Sequence, residues 1–185
     1  MKINNMKYTL DTNCIIDLEE KRPDAINLKK MIDEHKAGII QLAVVAISAS
    51  ENQPEGRISK TYDNFLKKLA DTGLQNVVQL QPMAYWDVAY WGHAVYGDTN
   101  AKELEKKIHN ILFPGTPIAL YQDVNFPKRV WRNNKCDVQI AWAHAFYNQD
   151  VLVTRDENFH RHAQELKKVG VRSIIRPTEF GGGRC

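Results

Sequence analysis

Four acidic residues stand where carboxylates could share a metal ion: Asp11, Glu51, Asp137 and Asp156. Asp11 ends a short extended run, Glu51 follows a buried apolar run, and Asp156 comes two residues after the extended run 151–154. Carboxylates gathered in a partly buried site repel one another, and a divalent cation neutralises such a cluster. Because ligation by oxygen alone favours magnesium or manganese over zinc, we expect Mg²⁺ or Mn²⁺ at this site.

The elements that must position these acids follow from the hydrophobic pattern. Extended or buried apolar runs predict strands at 7–10, 39–47, 77–80, 151–154 and 171–175. Helical spacing predicts helices at 58–70, 99–113, 135–147 and 158–169, and the apolar stretch 83–96 is also predicted to be helical. Strands that alternate with helices predict an α/β fold with a parallel sheet.

In an open parallel sheet, ligands bind outside the carboxyl ends of the strands, which is where Asp11, Glu51 and Asp156 fall. Asp137 is expected in the first turn of the helix 135–147, with Asn133 or Asn134 as its N-cap, so that it faces the same edge.

The segments YTLDTNCIIDLEE, AISASEN, NKCDVQIAWAHAFYNQDVLVT and TRDENF, in this order, resemble the acidic motifs of PIN domains, including the toxins of toxin–antitoxin pairs. The resemblance covers both ends of the chain and leaves about 82–133 unmatched, which we interpret as a helical insertion in a single domain, 1–185. It implies a five-stranded parallel sheet flanked by helices, and hydrolysis of RNA phosphodiesters with magnesium or manganese. A protein antitoxin is then a possible partner.

Carried over position by position, the four acids of the family fall in chain order on Asp11, Glu51, Asp137 and Asp156. Asn13 and Thr154 match the polar residues that support the acids, and Asn158 stands where many members have a further aspartate, which gives it an accessory role. Glu55 is close enough to Glu51 to compete with it as the second acid.

The implied mechanism needs no Ser, Cys or His nucleophile, because one or two metal ions would activate a water molecule for attack on phosphorus. Attack of this kind leaves a 5′-phosphate and a 3′-hydroxyl. Cations interleaved with an aromatic residue suit RNA, and the residues predicted to bind it are Arg129, Trp131, Arg132, Lys135 and Arg155. The alternative for the segment 128–135 is a loop whose Trp131 packs inward.

Two other functions compete with the ribonuclease. One is a catalytically inactive PIN-like module that binds RNA or protein, from which a manganese titration would distinguish the enzyme. The other is a phosphatase of the haloacid dehalogenase type, which requires a second aspartate two residues after the first, where this chain has Asn13.

Composition narrows the class of protein further. With 185 residues, 43% of them hydrophobic, and a net charge of only +3, the chain fits one globular domain and is disfavoured as a disordered or wholly basic protein. We find no signal peptide or membrane span, so we expect a cytoplasmic protein. Cys14 and Cys136 are predicted to lie in the core, and Trp142 is predicted to lie in the core or in an interface. A cluster of aromatic residues is predicted to form either a homodimer interface or part of the core: Tyr85, Trp86, Tyr90 and Trp91.

Overall fold

The chain folds around a parallel sheet with helices on both faces. The computed structural model describes residues 5–49, 62–84 and 94–181. The strands in these ranges are β1 (Lys7–Leu10), β2 (Gln41–Val45), β3 (Val78–Leu80), β4 (Val151–Val153) and β5 (Ile174–Ile175). They lie in the order β3-β2-β1-β4-β5, and every neighbouring pair is parallel. The predicted five-stranded α/β fold is therefore confirmed, and it is consistent with a PIN-like arrangement.

The helices in the described ranges connect these strands. They are α1 (Thr12–Glu19), α2 (Ala25–Lys36), α3 (Tyr62–Asp71), α4 (Thr99–Leu112), α5 (Lys128–Phe146), α6 (Glu157–Arg161) and α7 (Ala163–Lys167). Short 3-10 turns lie at Ala46–Ala49, Leu120–Gln122 and Pro177–Glu179. None of the helices in these ranges has the length and apolar character needed to cross a membrane.

A hydrophobic layer packs against each face of the sheet. Leu10, Leu28 and Phe65 belong to the layer formed with α1, α2 and α3. Ile108 and Trp142 belong to the opposite layer, formed with α4 and α5. The Trp142 indole N–H donates a 2.9 Å hydrogen bond to the carbonyl of Ala101 and so ties α5 to α4.

The core positions predicted for Cys14, Cys136 and Trp142 are confirmed, since all three side chains are fully buried. Both cysteines are free thiols.

The helix predicted at 135–147 begins earlier, at Lys128, so the proposed N-caps Asn133 and Asn134 lie inside it. Asp137 is consequently in the third turn of α5, and its predicted place in the first turn is wrong. The physical reason is burial. Lys135 and, one turn nearer the start of the helix, Trp131 are both buried, so they extend the inward-facing side of α5 beyond its predicted start.

The helix predicted at 83–96 is wrong at both of its described ends. Met83 and Val95 form an isolated parallel bridge, and the Val95 N–H donates to Pro82 at 2.9 Å. The backbone groups here are satisfied across the chain instead of along a helix. The proposed dimer residues Tyr85, Trp86, Tyr90 and Trp91 lie outside the described residues.

The helix predicted at 158–169 is divided into α6 and α7, which meet at His162. The predicted strand 39–47 is also shorter than expected, because its last residues turn into the 3-10 segment Ala46–Ala49.

Candidate site at the carboxyl ends of β1 and β4

The order of the strands singles out one place on the carboxyl edge of the sheet. From β1 the chain adds β2 and β3 on one side, and it later adds β4 and β5 on the other side. Open α/β sheets bind ligands in the crevice outside such a switch point. Asp11 directly follows β1 and Thr154 directly follows β4, so the first and last predicted motifs meet there.

The Asp11 carboxylate is buried, with 3% of the residue exposed, and is held by three donors. Its Oδ1 accepts a 2.6 Å hydrogen bond from the Thr12 N–H, through which Asp11 caps α1. Its Oδ2 accepts from the Asn13 amide and from the Thr154 hydroxyl, each at 2.5 Å. Charge-assisted hydrogen bonds from three sides fix the orientation of this carboxylate.

Thr154 is the centre of the network. Its fully buried hydroxyl donates to Asp11 and accepts from the Asn13 amide at 3.0 Å and from the Asp156 N–H at 2.9 Å. One donor and two lone pairs are all that a hydroxyl offers, so its hydrogen-bonding capacity is used in full. The contacts expected of Asn13 and Thr154 are therefore present, and their part in catalysis stays a prediction.

Asp156 begins the helix that follows β4. Its Oδ1 accepts a 2.7 Å hydrogen bond from the Asn158 N–H, which makes Asp156 the N-cap of α6. The Asn158 side chain donates at 2.9 Å to the carbonyl of Leu112, at the end of α4. The amide of Asn158 thus anchors the predicted insertion to the site.

Asp17, which sequence reasoning missed, holds the turn between β4 and α6. Its fully buried carboxylate lies 2.6 Å from the Arg155 Nε and 3.4 Å from the Arg22 guanidinium. Burial raises the pKa of Asp17, and both arginines oppose that rise. An acid on the buried face of α1, among apolar residues, was the available signal.

Two further contacts secure the same turn. The Arg155 N–H donates to Asn13 Oδ1 at 3.2 Å, and the His160 Nε2–H donates to the Thr154 carbonyl at 2.9 Å. The Arg155 guanidinium forms an ion pair with Asp17, so Arg155 could bind substrate, as predicted, only in competition with this ion pair.

Cys14 lies in the first turn of α1, three residues after Asp11, and is fully buried. Burial raises the pKa of its thiol well above the usual value, and the charges of Asp11 and Asp17 add to the rise. The protonated thiol donates a hydrogen bond to the Val153 carbonyl oxygen, which lies 3.3 Å from the Cys14 Sγ. Since the thiolate is the nucleophilic and metal-binding form, Cys14 is a packing residue.

Of the remaining acids, the structure describes Asp137. Because β4 follows α5 after four residues and is parallel to the other strands, α5 runs antiparallel to the sheet and begins toward its carboxyl edge. Asp137 is half-buried and lies at the middle of this helix of 19 residues. Glu51 and Glu55 are outside the described residues, so the second acid is not placed.

The donor set at this edge suits a hard divalent cation. Asp11 and Asp156 offer carboxylate oxygens, and the hydrogen bonds that fix Asp11 are of the kind that orient metal-binding carboxylates. Within 5–49, 62–84 and 94–181, no group of three or more His, Cys, Asp or Glu side chains is placed to hold a metal ion. A complete metal site therefore requires a further ligand or an adjustment of these side chains.

Two predicted substrate residues point inward. Trp131 is 6% exposed and its indole N–H donates to the Ile118 carbonyl at 3.3 Å. Lys135 is 1% exposed, and its ammonium lies 2.5 Å from Glu105 Oε1. The inward alternative for Trp131 is thus the observed one, and the interpretation of both residues as a substrate surface is wrong.

The two arginines of the same segment are placed differently. Arg129 is exposed in the first turn of α5, whereas Arg132 is partly buried. Of the pair, Arg129 is the one whose exposure suits contact with a substrate.

Fold and site together define an α/β protein with two aspartates at the switch point of its sheet. Asp11 is buried and oriented by hydrogen bonds, and Asp156 is the N-cap of the helix that follows β4. Searches found no protein-family model, curated protein or solved structure that matches the chain. The resemblance to PIN domains therefore rests on the acidic motifs alone, and the observed fold is consistent with a PIN-like fold.

Proposed function

We propose that the chain is an endoribonuclease of the PIN type, dependent on Mg²⁺ or Mn²⁺. The observation that carries the proposal is the Asp11 carboxylate at the β1–β4 switch point, held by Asn13 and Thr154, with Asp156 linked to the same hydroxyl through its backbone N–H. A buried carboxylate whose orientation is fixed in this way supports a defined geometry for a bound ligand, and the acidic motifs favour a cation as that ligand.

Each residue has a part in this proposal. Asp11, Glu51, Asp137 and Asp156 would hold the cation, which when bound supplies activation of a water molecule and neutralisation of the scissile phosphate. Asn13 and Thr154 orient the Asp11 carboxylate, because both donate to its Oδ2. Asp17 and His160 hold the turn that carries Asp156.

The same contacts disfavour the phosphatase alternative. In that chemistry Asp11 would be the nucleophile, and a carboxylic acid two residues later would be the proton donor. Here Asn13 stands there, and its amide is bound to Asp11 and Thr154.

Asp156→Asn is the cleanest test of the nuclease. Asparagine is as good an N-cap as aspartate, so α6 keeps its first hydrogen bond while the site loses one carboxylate. We expect the rate of RNA cleavage in the presence of Mn²⁺ to fall by about 100-fold or more. Mutation of residues that only hydrogen-bond to a metal ligand already lowers activity by up to about 100-fold, and loss of a ligand itself should cost at least as much. Wild-type turnover in this variant would overturn the assignment.

A matched control is available in α4, whose N-cap is Asp98. Its Oδ1 accepts a 2.8 Å hydrogen bond from the Ala101 N–H, so Asp98→Asn makes the same chemical change at another helix start. This control should cleave RNA at the wild-type rate.

Calorimetric titration with Mn²⁺ distinguishes the enzyme from an inactive module. The wild-type chain should bind the ion and Asp156→Asn should bind it more weakly, whereas a module that has lost the site would bind none in either form.

A further inference from the structure

An exposed apolar turn precedes α5, in the segment that resembles no PIN motif. Tyr121 lies in the 3-10 turn Leu120–Gln122 and is 82% exposed, and Val124 three residues later is 81% exposed. The buried Trp131 cannot stack a base, whereas the face of Tyr121 is open to solvent.

The turn is held in place by its neighbours. Trp131 donates from its indole N–H to the Ile118 carbonyl at 3.3 Å, and Gln122 Oε1 accepts from the Ile118 N–H at 2.9 Å. An aromatic ring presented by a fixed backbone loses little conformational entropy when a ligand covers it.

The helix that follows the turn begins toward the edge of the sheet that carries Asp11 and Asp156. Because α5 runs antiparallel to the strands, its start at Lys128 lies toward the carboxyl edge of the sheet. At 1.5 Å per residue, the exposed Arg129 and Asp137 are separated by about 12 Å along the helix axis. Single-stranded nucleic acid occupies roughly 4–16 nucleotides on a binding domain, which is ample to cover this distance.

We infer that Tyr121 is the surface on which an unpaired base of the bound RNA stacks, with Arg129 contacting the adjacent phosphates. The inference rests on the proposed function for the identity of the ligand. It also makes the ligand single-stranded, since a base inside a duplex has no free face for a tyrosine ring.

Charge favours RNA over a protein partner at this surface. The centre of a protein interface is depleted in charged residues, whereas the segment 121–129 that carries Tyr121 and Val124 also has three exposed charged side chains, those of Asp123, Lys128 and Arg129. Aromatic residues next to cations are the usual composition of a groove for single-stranded nucleic acid.

Fluorescence anisotropy with a labelled, unstructured RNA oligonucleotide tests the inference on the metal-free protein, so that no RNA is consumed. Tyr121→Ala should weaken binding by roughly 5-fold or more without changing the salt dependence, because stacking releases no counterions. Tyr121→Phe keeps the ring and should bind like the wild type. Arg129→Ala should lower the salt slope by about 1.

Tyr96→Ala is the matched control, because Tyr96 is 90% exposed and lies outside the turn. It should leave RNA affinity unchanged. Circular dichroism tests whether each variant is folded, and we expect all of them to be, because the substituted side chains are exposed.

The outcomes separate this inference from the proposed function. Unchanged affinity in Tyr121→Ala overturns the stacking surface even if the wild type cleaves RNA. Equal affinity of the wild type for a duplex of the same sequence also overturns the stacking surface. If Tyr121→Ala changes sedimentation but not RNA affinity, the surface is a protein interface and the inference is overturned as well. RNA binding that depends on Tyr121, without any cleavage in Mn²⁺, supports the surface and refutes the nuclease.

Discussion

The hydroxyl of Thr154 joins three parts of the site that are far apart in sequence. It bonds to the first acid, to the amide of Asn13 and to the backbone of Asp156, and it is fully buried. Removing it would leave the Asp156 N–H without this acceptor and the buried Asp11 carboxylate without one of its donors, which costs more than the loss of one hydrogen bond. Thr154 therefore contributes to stability as well as to the orientation of Asp11.

Thr154→Val is expected to lower the free energy of unfolding by about 1–3 kcal/mol, because the isosteric side chain leaves those polar groups unsatisfied. Urea denaturation measures the loss. Thr154→Ser, which keeps the hydroxyl, is the control and should lose less than half as much. Equal losses in the two variants would mean that packing of the methyl group, not the hydroxyl, matters here.

At the scale of elements, a buried ion pair joins α4 to α5. Lys135 and Glu105 lie 2.5 Å apart with almost no exposure, and the Lys135 ammonium also lies 5.9 Å from the centre of the Trp131 ring. Burial lowers the pKa of Lys135, and Glu105 opposes that shift. The lysine that sequence suggested as a phosphate ligand instead fixes the position of the helix that carries Asp137.

Glu105→Ala should destabilise the protein by about 3–5 kcal/mol, because it leaves the Lys135 charge buried without its partner. The double variant Glu105→Leu/Lys135→Met removes both charges and should recover most of that loss, since apolar residues of similar volume replace buried pairs at little cost. Thermal and urea unfolding of the single and double variants measure both effects. A double variant no more stable than Glu105→Ala would contradict this account.

At the scale of the whole molecule, the sequence predicted the sheet well because strands buried on both faces leave a continuous apolar pattern, as at Leu42, Val44 and Val45. Strand ends placed Asp11 and Asp156 at one edge of this sheet, whereas the support of Asp11 by Asn13 and Thr154 was implied by the resemblance to PIN-domain motifs.

Other features depended on tertiary contacts that a local pattern does not record. Asn133 and Asn134 are good N-caps by residue type, but burial of Trp131 extends α5 past them. The position of Asp17 on the apolar face of α1 indicates a buried acid, but its partner Arg155 is 138 residues away and is identified only by the structure.

His144 ties α5 to the central strand of the sheet, because its fully buried Nδ1 lies 3.0 Å from Thr9 Oγ1 in β1. Burial lowers the pKa of His144 to about 4, with a smaller lowering from Arg172 and an opposing effect of Asp150. The unfolded chain, where the pKa is near 6.5, therefore binds a proton that the folded chain does not.

The stability contributed by neutral His144 is present above about pH 6.5 and is lost as the pH falls toward 4, by up to about 3 kcal/mol. Urea unfolding at about pH 7 and pH 4.5 measures this change. His144→Gln cannot take up the proton, so its unfolding free energy should fall less over the same interval. An equal fall in both proteins would show that other groups are responsible.

The hydrogen bond between Asp11 and Thr154 spans 143 positions of the chain. A ribosome adding about 5–20 residues per second needs roughly 7–30 s to make the second partner after the first. Throughout that time the growing chain holds Asp11 without the hydroxyl that orients it. If the chain cuts RNA, it therefore cannot acquire this arrangement before Thr154 has been synthesised.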